Sequence, residues 1–239
     1  MKNIAVAALS LGLLASASVA QAAPVSVDAG QFVLSYDDSF LPGATVSFDA
    51  GVITFTNVNV SASSTGGDTE PVIGSSSFNS YLGNPFPIVL TAKAGYKITS
   101  VTETVMGGYG LSSPSLSGGS AASIGALSYW LNPVTMDMLG LNVPNDGPHI
   151  LPEGYEMGSG SMTGSSTLDI AGGLSSVALT SIDFVAIAYA PEAGAGAMSS
   201  LTEYKVGAQV TAVPEPEVIG LLLAGLGVVG ATMARRRQS

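Results

Sequence analysis

The sequence contains no cysteine among its 239 residues. Disulfide bonds, thiolate chemistry and zinc sites built on cysteine are therefore excluded. A domain without disulfide bonds must be held together by its own hydrophobic core. This favours an extensive β-structure over a small cross-linked scaffold.

Charged residues are scarce, at 10% of the chain, and positive charge is scarcest. Globular proteins usually contain about 25% charged residues. Glycine, serine and threonine take their place here, which is typical of twisted sheets with many turns. Seventeen acidic residues outnumber seven basic ones. Such a surface repels nucleic acid, so the composition excludes a DNA-binding role.

The first 22 residues have the pattern of a secretory signal peptide. Met1-Lys2-Asn3 forms a short positive region, an apolar segment follows from Ile4 to Val19, and Ala20-Gln21-Ala22 matches the small-x-small cleavage pattern. The sequence predicts cleavage by signal peptidase after Ala22. Cleavage after Ala20 and an uncleaved N-terminal anchor are the alternatives.

The last 27 residues combine a Pro-Glu-Pro hinge, an apolar run and a basic end. The run from Val218 to Ala234 carries no charge. As a helix it would rise about 25 Å, near the lower limit for crossing a hydrocarbon core of about 30 Å. The basic residues Arg235, Arg236 and Arg237 would stay in the cytoplasm. The pattern predicts one C-terminal transmembrane helix, and an ordinary membrane anchor is its simplest interpretation.

Residues 213–239 resemble the PEP-CTERM sorting domain. The resemblance rests on Pro214, Glu215 and Pro216, on the apolar helix containing Leu223-Ala-Gly-Leu-Gly227, and on the terminal arginines. It implies a Gram-negative source, recognition by the membrane protease-transpeptidase exosortase, and removal of the helix. It further implies a transient inner-membrane precursor, then release or attachment at the cell surface, commonly alongside exopolysaccharide production.

The segment between the two ends, residues 23–212, is predicted to form one all-β domain, a β-sandwich or jelly roll. Alternating or β-rich runs occupy 31–36, 44–48, 51–60, 88–93, 96–105, 123–131, 177–189 and 201–213. A phase slip near Asn57 indicates a β-bulge, and Ala94-Gly95 indicates a hairpin. Long loops are predicted at 61–87 and 107–120. A domain boundary within 132–147 is the alternative.

The search for catalytic residues finds no specific pattern. His149 is the only histidine, and Asp146 is too near to it in sequence to serve comfortably in a Ser-His-Asp triad, so a solvated loop histidine is the simpler interpretation. Glu153 and Glu156 could serve as the carboxylate pair of a glycoside hydrolase. Fifteen acidic residues lie between residues 23 and 212, so such pairs arise by chance. The sequence therefore predicts that the protein is not an enzyme.

Calcium is the one cofactor for which the sequence offers candidate ligands, since calcium binds oxygen donors in loops. The candidates are Asp37, Asp38, Asp68, Glu70 and Asp146. None has the spacing of an EF-hand, and solvated turn acids are the simpler interpretation. An aromatic platform for sugars is a further alternative, formed from Tyr81, Phe86, Tyr109, Tyr129, Trp130 and Tyr155. Trp130, however, is expected to be buried.

Three functions of different classes remain for the processed domain. It retains three lysines against fifteen acidic residues, a net charge of −12. The leading hypothesis is a non-catalytic structural protein of the cell surface or extracellular matrix, associated with exopolysaccharide, biofilm or flocs. The alternatives are a carbohydrate- or calcium-binding surface module and, less favoured, a polysaccharide-acting enzyme.

Overall fold

The computed structural model describes residues 24–37, 40–79, 86–213 and 220–226. Thirteen strands lie within these ranges: β1 (Val25–Asp28), β2 (Phe32–Tyr36), β3 (Thr45–Asp49), β4 (Val52–Thr65), β5 (Val72–Asn79), β6 (Ile88–Ala92), β7 (Tyr96–Ser112), β8 (Ala121–Leu131), β9 (Met138–Asn142), β10 (Asn145–Ile150), β11 (Met157–Leu174), β12 (Ser176–Tyr189) and β13 (Gly196–Ala212). A short helix occupies 220–226. The prediction of an all-β fold is confirmed.

The strands form two antiparallel sheets that pack face to face as a sandwich. The five-stranded sheet has the order β11-β7-β13-β4-β3. In the eight-stranded sheet, β12 pairs with β8 on one side and with β6 and β5 along successive parts of its other side. The path continues from β6 through β2 to β1, and β9 and β10 pair with successive parts of β8.

Alternation along the strands places their apolar side chains between the sheets. On β12, the predicted inward residues Ile182, Phe184, Ala186 and Ala188 are all buried. The largest fully buried side chains of the core include Trp130, Tyr204, Phe55 and Phe184. Small residues are buried in it as well: Ala62, Ala122, Ala126, Ala186, Ala188, Ala190 and Ala197.

The sandwich has two ends, which are named here by what lies there. The loop end carries the connections 66–71, 113–120, 151–156 and 190–195. The tail end carries the turns 29–31, 50–51 and 93–95 together with Val213, the residue that follows β13. β13 runs from the loop end to the tail end over 17 residues, which is about 55 Å at 3.3 Å per residue.

The predicted bulge near Asn57 is confirmed. Asn57 and Asn59 have positive φ angles of 63° and 53°. The pairing of β4 with β13 shifts register in the same place, since Leu201 faces Val60 while Glu203 faces Thr56. The extra residues on β4 match the phase slip in the sequence.

Two predictions about connections are wrong. Ala94-Gly95 does not close a hairpin, because β6 belongs to the eight-stranded sheet and β7 to the five-stranded one. The turn crosses between the sheets instead. The predicted loop 61–87 contains the end of β4 and all of β5, and 107–120 contains the last third of β7. These segments are rich in glycine and serine, a composition typical of loops, and the strand pattern was therefore not recognised.

Several predicted features lie outside the described residues. These are the signal peptide with Ala20 and Ala22, the candidate ligand Asp38, the Pro214-Glu215-Pro216 motif, and the arginines 235–237. The helix at 220–226 lies inside the predicted membrane span of 218–234. Among the described ranges, no helix has the length and hydropathy required to cross a bilayer.

Candidate functional site

The tail segment joins the domain at the middle of the five-stranded sheet. β13 pairs with β7 on one side and β4 on the other, and its pairing with β7 continues to Ala212, which faces Tyr96. The next residue, Val213, donates its backbone N–H to the carbonyl of Gly95 at 2.8 Å. The folded domain therefore extends without a gap to the residue before Pro214.

The loop end is acidic. Its four connections carry the carboxylates of Asp68, Glu70, Glu153, Glu156 and Glu192, and no lysine or arginine. The mutual repulsion of these groups is weakened by solvent, since exposed charges interact through water. This end accounts for a third of the fifteen acids of the processed chain.

Serine hydroxyl groups hold two of these carboxylates in place. Ser115 donates a hydrogen bond to the carboxylate of Glu192, and this bond holds the pKa of Glu192 below its usual value. Ser64 donates to Asp68 at 2.6 Å and accepts from the backbone N–H of Ala190 at 3.0 Å. The loops 66–71 and 190–195 are thereby fixed to each other rather than left open.

The calcium candidates do not come together. Asp68 and Glu70 share one loop, whereas Asp37 follows β2 and Asp146 lies on β10. Glu153 and Glu156, the candidate catalytic pair, are both exposed in the connection 151–156. Within the part of the chain that the structure describes, no group of three or more histidine or acidic side chains is placed to hold a metal ion.

Asp146 and His149 do meet, although they are only three residues apart. Nε2 of His149 lies 3.1 Å from Oδ1 of Asp146, and the imidazole stacks on Tyr109 with ring centroids 4.6 Å apart. The other oxygen of Asp146 accepts the backbone N–H of Thr163 at 2.6 Å. Partial burial would raise the pKa of Asp146, but these hydrogen bonds outweigh it and lower the pKa.

This arrangement joins the edges of the two sheets. Asp146 and His149 lie on β10, while Tyr109 and Thr163 lie on β7 and β11 of the opposite sheet. Because β11 is an edge strand, the N–H of Thr163 would otherwise be open to pairing with another chain. Asp146, His149, Tyr109 and Thr163 therefore form a structural contact between the edges of the two sheets, called the clasp below.

The predicted aromatic platform is not assembled. Trp130 is fully buried, as expected, and Tyr109 stacks on His149. Tyr155 is 60% exposed in the connection 151–156, whereas Tyr129 lies on β8. Tyr81 is outside the described residues. These rings occupy separate parts of the domain, so they do not form one sugar-stacking surface.

A carboxylate in the core was missed as a site by sequence reasoning. Glu103 on β7 is fully buried. Its carboxyl group is within hydrogen-bonding distance of the Ser128 hydroxyl, and it accepts hydrogen bonds from Tyr204 and from Trp130 Nε1, the latter at 3.2 Å. Burial raises the pKa of Glu103, and these donors with Asn142 only partly offset it. The sequence signal was a glutamate between Val101 and Val105 on an otherwise apolar strand face.

The hydrogen-bond geometry fits a protonated Glu103. Ser128 Oγ lies within hydrogen-bonding distance of both the Glu103 carboxylate and the carbonyl oxygen of Asn142, at 3.2 Å from the latter. A hydroxyl group has only one hydrogen. A protonated Glu103 would donate to Ser128 and leave the serine hydrogen for the carbonyl oxygen of Asn142, so that both contacts of Ser128 Oγ are hydrogen bonds.

The outer face of the five-stranded sheet is covered by small hydroxyl side chains. Thr102 pairs with Thr167 and Thr104 with Ser165, at oxygen–oxygen distances of 2.9 and 3.1 Å. Near the loop end this face has a groove of about 540 Å³. Its lining comprises Ser63, Ser64, Thr65, Gly110, Leu111, Ser112, Met157, Gly158, Ser159, Gly196, Ala197 and Met198.

Comparison with known families identifies the tail. The PEP-CTERM protein-sorting motif matches residues 212–238, so the chain carries this motif, as the sequence predicted. The motif implies export, a membrane-anchored precursor and processing by exosortase. It overlaps the β-sandwich only at Ala212, the last residue of β13. No curated protein matches the chain.

Solved structures give only distant likenesses. An arabinose-bound MgGH51 α-L-arabinofuranosidase is 13% identical with a TM-score of 0.20, and the match covers 80% of this chain and 24% of that one. Eiger TNF from S. frugiperda is 10% identical with a TM-score of 0.20, covering 66% and 96%. A CBM4 structure is 11% identical with a TM-score of 0.19, covering 78% and 89%. Such low TM-scores carry no argument about function.

Proposed function

We propose that this PEP-CTERM chain is a non-catalytic structural protein of the cell surface or extracellular matrix, associated with exopolysaccharide. The observation that carries the proposal is the direct connection between an all-β domain and a sorting motif at residues 212–238. The central strand β13 continues into the motif, so processing at the motif delivers the whole sandwich. The β-sandwich is the exported part of the chain, and the tail is its sorting signal.

The chemistry of the domain supports a structural role. Its only histidine contacts Asp146 and Tyr109, and the buried carboxyl group of Glu103 is hydrogen-bonded to residues of both sheets. An acidic surface repels acidic polysaccharides unless divalent cations bridge them. The surface therefore suits contact with neutral polymers through hydroxyl groups, or with acidic polymers through shared cations.

Processing is tested by replacing Pro214, Glu215 and Pro216 with alanine. We expect a membrane-retained precursor, heavier than the processed form by about the mass of the tail, in cell fractions analysed by immunoblot. The matched control replaces Pro152 and Glu153, an exposed Pro-Glu pair at the loop end, and should be processed normally. Equal processing of the native chain, the alanine variant and the control would show that the motif is not recognised.

The structural role is tested by deleting the gene. Loss of the protein should change the amount or cohesion of extracellular material, measured as floc sedimentation and matrix sugar content. Restoring the native chain should reverse the change, whereas the chain with alanines at 214–216 should not. Unchanged surface material in the deletion strain would contradict the structural role but leave the sorting result intact.

A carbohydrate-binding module is the second candidate, and the groove on the hydroxyl-rich face is the observation that favours it. Serine and threonine hydroxyl groups both donate and accept hydrogen bonds, as sugar hydroxyls do. Calorimetric titration of the released protein with a polysaccharide panel, with and without calcium, tests this function. Ser159→Trp would fill the groove and abolish binding. Thr167→Trp, on the same strand and face, should leave it unchanged.

A further inference from the structure

The tail end of the sandwich is held close to the start of the apolar tail. The backbone hydrogen bond from Val213 to Gly95 fixes the last described residue of the domain to the turn 93–95. The predicted membrane span begins at Val218, five residues later. Five residues extend over at most about 18 Å. The domain is about 55 Å long in the same direction, because β13 runs along it.

This difference in length leaves little choice of orientation. The linker is much shorter than the domain. The loop end could therefore reach the membrane surface only if the linker folded back along the sandwich. β13 leaves the domain from the middle of a sheet, with β7 and β4 on either side. The turns 29–31 and 50–51 lie beside the last part of β13, since they line one cavity with Ala208, Gln209 and Val210.

We propose that the tail end is a lipid-facing surface, and that in the anchored precursor the turns 29–31, 50–51 and 93–95 rest on the phospholipid headgroup layer. The proposal rests on the proposed function, because it requires the tail to be in the membrane. It adds a surface of the folded domain that the sorting motif does not include.

The composition of these turns fits headgroups rather than hydrocarbon. They contain only alanine, glycine, one glutamine and one lysine: Ala29, Gly30, Gln31, Ala50, Gly51, Lys93, Ala94 and Gly95. None is a bulky apolar residue that would insert into the acyl chains. Lys93 pairs with Asp28 at 2.7 Å, and Lys97 is exposed nearby. Two of the three lysines of the processed chain therefore lie at this end.

The two ends differ in charge, because Asp28 and Asp49 beside the tail-end turns are matched in number by Lys93 and Lys97. The five carboxylates of the loop end lie at the opposite end of β13 from the tail. Anionic headgroups repel carboxylates within about one Debye length, roughly 8 Å in physiological salt. With the tail end on the membrane, the loop end lies far beyond that distance. It is then presented to the medium and to the surface polymers of the proposed function.

The absence of cysteine makes the test direct. Single cysteines at Gln31 and Glu153, both exposed, place one fluorophore at each end of the full-length precursor. The precursor is reconstituted without other proteins into phospholipid vesicles that contain a lipid with a nitroxide on its headgroup. We expect quenching at position 31 to exceed that at position 153 several-fold. Equal quenching at both positions would overturn the proposal.

A spacer variant supplies the matched control. A Gly-Ser insertion of about twenty residues between Val213 and Pro214 adds a root-mean-square length of about 25 Å. It should bring quenching at position 31 down towards the value at position 153. Undiminished quenching would overturn the argument from linker length. Flotation of the chain with vesicles is measured separately, since failure to float would refute the membrane tail itself rather than the orientation of the domain.

Discussion

Tyr204 donates its phenolic hydrogen bond to the carboxylate of Glu103 in the middle of the core, where both side chains are fully buried. The two residues lie on β13 and β7 of the five-stranded sheet. Ser128 and Trp130 contact the same carboxylate from β8 of the other sheet. Glu103 therefore joins the two layers of the sandwich through one polar cluster, surrounded by apolar side chains.

The cluster should make stability depend on pH in an identifiable direction. The pKa of Glu103 is raised above its ordinary value of 4.5 in the folded state. Its contribution to the free energy of unfolding is therefore complete below that value and decreases as pH rises through the folded pKa. Glu103→Gln should remove this decrease, whose slope is at most about 1.4 kcal/mol per pH unit. Urea unfolding across a pH series measures it.

The difference between native and variant chains isolates Glu103. The pKa values of Asp28, Asp146 and Glu192 are lowered, so these groups change stability in the opposite direction. Glu203→Gln serves as the control, since Glu203 lies on β13 but on the outer face beside Lys205. It should keep the native slope. If Glu103→Gln keeps that slope as well, the inference that Glu103 is protonated in the folded protein is wrong.

Removing the tyrosine hydroxyl should destabilise the fold. Tyr204→Phe keeps the ring contacts with Phe184 and Phe55, whose centroids lie 5.1 and 6.0 Å away. It leaves one carboxyl oxygen of Glu103 without its donor, which typically costs about 1–3 kcal/mol. Thermal and urea unfolding measure the loss. Tyr155, which is 60% exposed, supplies the control, and Tyr155→Phe should change the free energy of unfolding by less than about 0.5 kcal/mol. An equal loss in both variants would contradict the role of the buried hydrogen bond between Tyr204 and Glu103.

Strands with bulky alternating residues could be predicted from the sequence, and strands of glycine and serine could not. β12 was recognised because Ile182 and Phe184 alternate with polar residues. β11 was missed because the first eleven residues of its segment contain three glycines and six serines or threonines, a composition typical of a loop. Its strand conformation is set by pairing with β7, from Met157 facing Ser112 to Asp169 facing Ser100. Such long-range pairing leaves no local signal.

The sorting motif was recognisable because it is a local sequence pattern, whereas the core cluster and the clasp depend on distant contacts. Glu103 and Trp130 are 27 residues apart in sequence, and Asp146 and Thr163 are 17 apart. A glutamate on an apolar strand face was a signal for the first cluster. The sequence offered none for the second, because the acceptor of the Thr163 N–H depends on how β10 and β11 meet.

The clasp predicts a local change when its carboxylate is neutralised. Asp146→Asn keeps the size of the side chain but weakens its bonds to the Thr163 N–H and to His149. Loss of one such bond costs about 1 kcal/mol at neutral pH. Because the pKa of Asp146 is lowered, its contribution is present above pH 3.8 and is lost as pH falls through the folded pKa. The variant and the native chain should therefore converge in acid.

Amide hydrogen exchange at Thr163 measures this change directly. The amide should exchange several-fold faster in Asp146→Asn than in the native chain, whereas amides of β13 should not change. Asp183→Asn, on the eight-stranded sheet but outside the clasp, is the matched control and should leave Thr163 protected. If Thr163 exchanges at the native rate in Asp146→Asn, the carboxylate does not cap this edge.

A glycine sets how closely the two sheet edges approach. A β-carbon at Gly164 on β11 would overlap the backbone of Asn145 on β10. Gly164→Ala should therefore force these strands apart and destabilise the domain by about 1–3 kcal/mol.

Gly108→Ala, on the neighbouring strand β7, would place its β-carbon 3.4 Å from the nearest atom. Because glycine in a strand is less favourable than alanine by about 0.5–1 kcal/mol, this control should be neutral or stabilising. Urea unfolding compares the two, and an equal effect would show that β10 and β11 are not in contact at Gly164.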